Sequence, residues 1–155
     1  LIYVAGSCFK PGTSDSRAGC GIQRGFSPNA NLSFRLERVG RKQTGNRAVM
    51  RATIRALQFD DQNTTLTHSD LGYPSTSIVI ASHLTLLVHG MADWVYKWEQ
   101  NGWKKAKGGK TVENVDLWKC LNQRVKSLET SGVRVLFWDI EEKYNNAEKL
   151  AWAAA

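Results

Sequence analysis

Five lysines (Lys97, Lys104, Lys105, Lys107 and Lys110) share a stretch with Trp98, Trp103 and three glycines. Cations and rings interleaved in a loop can grip a phosphate backbone without reading its sequence. The same residues also serve as a solvated, charged face. Thr44 stands just ahead of an alanine-rich periodic run and reads as a helix N-cap, whose helix end attracts anions. Cys8, Cys20 and Cys120 are widely spaced and odd in number, with no CxxC or Cys/His cluster. They predict no zinc site, and the expectation is reduced, buried, structural thiols in an intracellular protein, nuclear or cytoplasmic. The net charge of +7 suits a phosphate-bearing partner and equally suits solubility.

The elements that must position these groups follow from periodicity. Tyr3-Val4 lies in an apolar run that Gly6-Ser7 closes as a turn. Ala18 to Gln23 and Leu32 to Leu36 read as two further strands of an antiparallel meander, the last alternating apolar and polar residues. The period then changes. Gln43 to Phe59 carries Ala48, Ala52 and Ala56 at steps of four, with Arg47, Arg51 and Arg55 as a polar stripe, which predicts an amphipathic helix. A polar stretch from Asp60 to Thr76 precedes a buried strand at Ser77 to Ala81. Leu84 to Gly90 and Ala92 to Trp98 read as two short helices, and Asn101 to Lys110 as a loop. Val115 to Glu129 is helical, Val133 to Trp138 is a strand, and Asn145 to Ala155 is a final helix. The order β-β-β-α-β-α-α-β-α predicts an α/β fold in one domain, 1–155, with a mixed sheet and helices packed on its faces.

With 155 residues, 42% of them hydrophobic, and six tryptophans, the chain can bury its own core. No apolar run reaches the roughly 18 residues a membrane span needs, so no membrane partner is expected. Residue 1 is not Met, and the expectation is a domain cut from a longer parent.

The element order and a series of local strings resemble type 1 ribonuclease H, nearest its fungal branch. The strings are Tyr3 to Cys8, Arg17 to Gly21, Gln43 to Ala48, Val79 to Ser82, Trp94-Val95 with Trp98, Asn101 to Lys104, Asn114 with Asp116-Leu117-Trp118, Val135 to Trp138, and Ala147 to Ala151. The resemblance implies a five-stranded mixed sheet, three antiparallel strands followed by parallel ones, with helices on both faces. It also implies cleavage of the RNA strand of an RNA/DNA hybrid by two metal ions held on four carboxylates. Hard cations prefer oxygen ligands, and two ions about 4 Å apart stabilise both oxygens of an in-line displacement.

Carried over by position, those carboxylates fall on Ala5, Val49, His83 and Glu148. Two are aliphatic, one is an imidazole, and one is a longer acid. Glu37, Asp70 and Asp139 are the spare acids, at no ligand position. The expectation from these positions is an intact fold that is not an enzyme, with no catalytic residue, no metal and no cofactor. An engineered knockout is the alternative explanation, but a set of Ala, Val, His and Glu with neighbours also altered looks more like natural drift.

The resemblance further places a phosphate pocket at Lys42, Thr44 and Asn114. It puts a stacking aromatic at Trp94, with Leu86 at a second aromatic position, and contacts to RNA hydroxyls at Asn46, Ser7 and Cys8. Lys104 and Lys105 belong to the basic protrusion. Thr44 also reads as a plain cap and Asn114 as a loop residue. Trp98, Trp103 and Trp118 read as packing.

Three functions remain open on the sequence. The first is a domain that binds RNA/DNA hybrid or duplex RNA without cutting it. The second is a protein-contact or structural module, dimeric in one form, favoured by apolar Ala5 and Val49 in the old groove. The third is an enzyme with unusual metal use through His83 and Glu148.

Overall fold

The computed structural model describes residues 1–25, 30–63 and 77–155, with the side chains of 59–63 left undescribed. The polar stretch up to Thr76, including Asp70, lies largely outside these residues. The five strands are β1 (Ile2–Phe9), β2 (Arg17–Arg24), β3 (Leu32–Arg35), β4 (Ser77–Ser82) and β5 (Arg134–Asp139), in the spatial order β3-β2-β1-β4-β5. The pairs β1–β2 and β2–β3 are antiparallel; β1–β4 and β4–β5 are parallel. The expected mixed sheet is present.

The alternation of β1 assigns its two faces. Ile2 and Val4 join the main core with Ala48, Ala52 and Ala56 of helix α1 (Gly45–Asn63). Tyr3 and Ala5 point the other way, against Ala147 and Ala151. Helices therefore cover both faces, as expected. Helix α4 (Val115–Thr130) packs beside α1, burying Leu117, Trp118, Leu121, Val125 and Leu128 along one stripe. Helix α5 (Glu148–Ala154) lies on the opposite face. It sits so close to β2 that a Cβ on Gly21 would overlap the Ala147 carbonyl oxygen and lie 2.6 Å from Ala151 N.

Three local expectations are corrected. Gly6-Ser7 does not end β1, which runs on to Phe9. Gly6 serves close approach instead: a Cβ there would lie 2.6 Å from Gly45 O and 2.8 Å from Ala48 Cβ. The two short helices form one helical run, α2 (Thr85–His89) and α3 (Val95–Gln100), joined by a π turn at Gly90–Trp94. Leu87, Met91 and Val95 are buried at steps of four, and the wider π turn keeps that slow repeat on one face. The last helix begins at Glu148 instead of Asn145, because the Asn145 side chain is spent on tertiary and capping bonds.

The thiols are all free, but only Cys20 is buried; Cys8 is half-buried and Cys120 is exposed. Burial pushes the Cys20 thiol up to about 12. Among the described residues, no helix is long and apolar enough to cross a membrane.

Candidate nucleic-acid interface

Helix α1 begins where the sequence placed its cap. The Thr44 hydroxyl accepts a hydrogen bond from Arg47 N–H at 3.2 Å, satisfying one of the orphan donors of the first turn. Arg47 then departs from the solvent stripe expected of it. It is only 7% exposed. Its guanidinium donates to Asn114 Oδ1 at 3.2 Å and to Asp116 at 3.0 and 2.8 Å. Thr44 and Asn114 are thus tied through one residue. Asn114 sits at the start of α4 in the left-handed region, with φ of 56°, a conformation asparagine tolerates. Lys42 is exposed nearby and adds a point charge.

Sequence reasoning missed Arg47 because arginines at four-residue spacing look like a polar stripe. The signal that could have found it is Asp116 directly after the Asn114-Val115 helix start.

Trp94 is exposed on the π turn, while its neighbours hold it. His89 stacks on it at 6.2 Å, and Trp98 lies 5.8 Å away, itself 5.3 Å from buried Trp118. This row of rings anchors an exposed aromatic to the core. Leu86, at the second aromatic position, is exposed too. Trp98 and Trp103 pack against the core as expected. In the protrusion, Lys104 bridges Thr111 and Lys105 N–H donates to Lys110 O at 2.7 Å. Lys105 Nζ pairs with Glu113 at 3.0 Å, an exposed contact of little energy. Lys104, Lys107 and Lys110 are exposed.

Ser7 and Cys8 lie on β1, opposite Gly19 and Ala18. The Cys8 thiol donates to Gln43 O at 3.3 Å, and burial raises its pKa. Asn46 is exposed in the first turn of α1.

Of the four positions implied as metal ligands, His83 and Glu148 meet, whereas Ala5 packs with Ala147 and Ala151 and Val49 joins the main core. Ala5 and Val49 are buried, at 0% and 2% exposure, so they add no apolar surface to a groove. That corrects the docking face expected of them. His83 Nδ1 lies 3.1 Å from Glu148 Oε1 and 3.1 Å from Asn145 Nδ2. Asn145 Nδ2 also donates to Val4 O at 3.0 Å, and its Oδ1 accepts from Ala147 N–H at 3.2 Å. With Asn145 serving the imidazole nitrogen, Glu148 Oε1 is buried without a hydrogen bond. Burial raises the Glu148 carboxyl pKa, which the nearby His83 charge opposes. The carboxyl borders an open groove of about 590 Å³ lined also by Gln23, Asn31 and Glu142.

Among the described residues, no group of three or more His, Cys, Asp or Glu side chains could hold a metal. One carboxylate and one imidazole do not fit a pair of hard divalent ions. Of the spare acids, Glu37 pairs with Arg51 at 2.8 Å, and Asp139 is exposed at the end of β5, in register with Ser82 beside His83.

This mixed sheet, with a capped α1 and a Trp-anchored π turn, defines a class that sequence comparison identifies. The RNase H family profile matches residues 1–135; the chain belongs to that family. It is 31% identical over 117 residues to Ribonuclease H of Schizosaccharomyces pombe, covering 76% of this chain and 38% of that protein. It is 29% identical over 117 residues to Ribonuclease H1 of Homo sapiens, covering 75% and 36%. The chain thus matches little more than a third of these relatives' length. Among solved structures, the foamy viral protease-reverse transcriptase in complex with RNA/DNA hybrid aligns with a TM-score of 0.72 at 18% identity, over 98% of this chain and 19% of that one. LC11-RNase H1 in complex with RNA/DNA hybrid aligns at 0.61 and 20% identity, over 99% and 94%. At such identities the likeness concerns the fold alone.

Family membership overturns one expectation. Ala5, Val49 and His83 led the sequence reading to a protein that is not an enzyme, whereas the relatives are named as ribonucleases. Losing ligand types at those positions does not remove every ionisable group, since His83 and Glu148 still meet there.

Proposed function

We propose that this domain binds RNA/DNA hybrid, with duplex RNA as the related substrate, through backbone contacts running from Lys42, Thr44 and Asn114 to Trp94. The observation that carries the reading is the Arg47 bridge, which ties the capped start of α1 to Asn114. A helix start with a hydroxyl, an amide and a lysine around it suits one phosphate. The exposed Trp94 suits a sugar or base face. Asn46, Ser7 and Cys8 flank the same edge and are assigned to the RNA strand, whose hydroxyls distinguish it from DNA. Lys104 and Lys105 extend the contact along the protrusion.

Strand cleavage, the reaction named in its relatives, falls in this chain to the His83–Glu148 pair as its acid–base groups. With few acids in the groove, binding is metal-independent and strongly salt-dependent. The setting is intracellular, nuclear or cytoplasmic, which the three free thiols support. Kinship with the fungal branch rests on the local strings and on the yeast relative.

The test is fluorescence anisotropy of a short RNA/DNA hybrid in EDTA and then in Mg²⁺, with a gel readout of cleavage. Tight, salt-sensitive binding in both buffers is expected. No binding at low salt removes the reading.

A second reading, a protein-contact module, is favoured by one observation. Leu136 and Trp138 are 47% and 52% exposed on β5, which among the described residues has a strand neighbour on one side only. Sedimentation of the nucleic-acid-free protein, with and without Trp138→Ser, tests it.

A further inference from the structure

Beside the start of α1, the β1–β2 turn and the segment leading into the helix enclose an open groove of about 600 Å³. Its lining includes Arg38, Arg41 and Lys42 together with the hydroxyl residues Thr13, Ser14 and Ser16, and no carboxylate. Asp15 is exposed in the same turn. The other nearby acids are already paired: Glu37 with Arg51 at 2.8 Å, Asp116 with Arg47 at 2.8 Å and Glu113 with Lys105 at 3.0 Å. Asp116 and Glu113 also feel the charges of Arg41 and Lys42, respectively.

The walls are tied together without any ligand. Gln43 is buried between them: its Oε1 accepts from Ala18 N–H at 3.1 Å and its Nε2 donates to Glu37 O at 3.2 Å. Arg38 Nη2 crosses to Ser16 O at 3.0 Å. On the turn itself, the Thr13 hydroxyl donates to Lys10 O at 2.9 Å. A cleft whose walls are fixed loses little entropy on binding. At its outer rim, Lys10 and Arg17 lie 5.4 and 5.0 Å from the ring centre of half-exposed Phe9, adding two cations and an aromatic face.

We propose that this groove is a second backbone subsite, taking a further phosphate of the nucleic-acid strand that is seated at Thr44 and Asn114. Lys42 and Thr44 line the groove as well as the first position, so one strand reaches both. Hydroxyl and guanidinium donors without a competing carboxylate are what a phosphodiester requires. This deepens the hybrid-binding reading and rests on it for the identity of the strand.

The test compares hybrid binding against salt for the wild type, for Arg38→Ala/Arg41→Ala, and for Lys126→Ala/Arg134→Ala, which removes equal charge away from both grooves. The groove variant is expected to lose about 1–2 from the slope of log K against log salt, with roughly tenfold weaker binding, while the control keeps its slope. A groove variant that matches the control overturns the subsite and leaves the hybrid reading standing. A second arm needs no nucleic acid. Amide NMR shifts at Thr13 to Ser16 and Gly40-Arg41 are expected with inorganic pyrophosphate and are lost in the groove variant. Their absence in the wild type overturns the subsite; their presence without hybrid binding sinks only the strand assignment. Arg41→Glu, which keeps the Arg38–Ser16 bond, replaces the double variant if that does not fold.

Discussion

The guanidinium of Arg47 and the carboxylate of Asp116 face each other in two parallel hydrogen bonds of 3.0 and 2.8 Å. The pair joins the first turn of α1 to the first turn of α4, and the same guanidinium orients Asn114. Asp116→Asn leaves a nearly buried arginine without its counter-charge. A loss of about 1–3 kcal/mol is expected by urea denaturation, with weaker hybrid binding through a loosened Asn114.

The same pair sets an acid limit. Arg47 holds the Asp116 carboxyl below its ordinary value of 3.8. A depressed folded pKa contributes stability above the unfolded pKa and loses it as pH falls through the folded one. The gap in stability between wild type and Asp116→Asn is therefore expected to be full at pH 7 and to close below about pH 4. A gap constant from pH 7 to pH 3 speaks against the pair.

Lys42→Ala/Asn114→Ala should weaken hybrid binding about tenfold or more and lower the salt slope by about 1. Trp94→Ala should cost about 1–3 kcal/mol of binding with the slope unchanged, since it removes a ring and no charge. Equal effects on the slope would merge two contacts that the structure separates.

At the His83–Glu148 meeting point, Glu148 is held protonated more readily than a free glutamate, chiefly by burial. A raised carboxyl pKa costs stability that builds up as pH rises above the ordinary value and is complete beyond the folded one. Glu148→Gln is thus expected to be at least as stable as wild type at pH 7. Cleavage of labelled hybrid should drop about 10²–10⁴-fold in His83→Ala if the imidazole moves a proton. Equal cleavage by both proteins excludes it.

Gly21→Ala should lift α5 from β2, because the added methyl meets helix backbone and not a movable side chain. A loss of about 1–3 kcal/mol is expected in thermal denaturation, together with exposure of Ala147 and Ala151.

The fold was legible because its periods are clean. The Ala48-Ala52-Ala56 step and the alternation of Leu32 to Arg35 each admit one packing. The site was legible in part. Thr44 announced its cap, and the lysines around Trp103 announced an exposed basic loop. Arg47 was not legible, because its partner is 69 residues away and local spacing made it a surface cation. Ala5 and Val49 could be read as residue types but not as buried ones, since burial depends on α5 and α1 meeting across β1. Family membership was legible from the strings, whereas the inference against catalysis leaned on ligand positions alone.

Because α5 seats on β1 and β2, the β1–β2 hairpin is finished by a helix far downstream of it. During synthesis at about 5–20 residues per second, the Tyr3 and Ala5 face waits on the order of ten seconds for its cover. Throughout that interval the nascent hairpin displays an uncovered sheet face, a natural substrate for the chaperones that attend emerging chains.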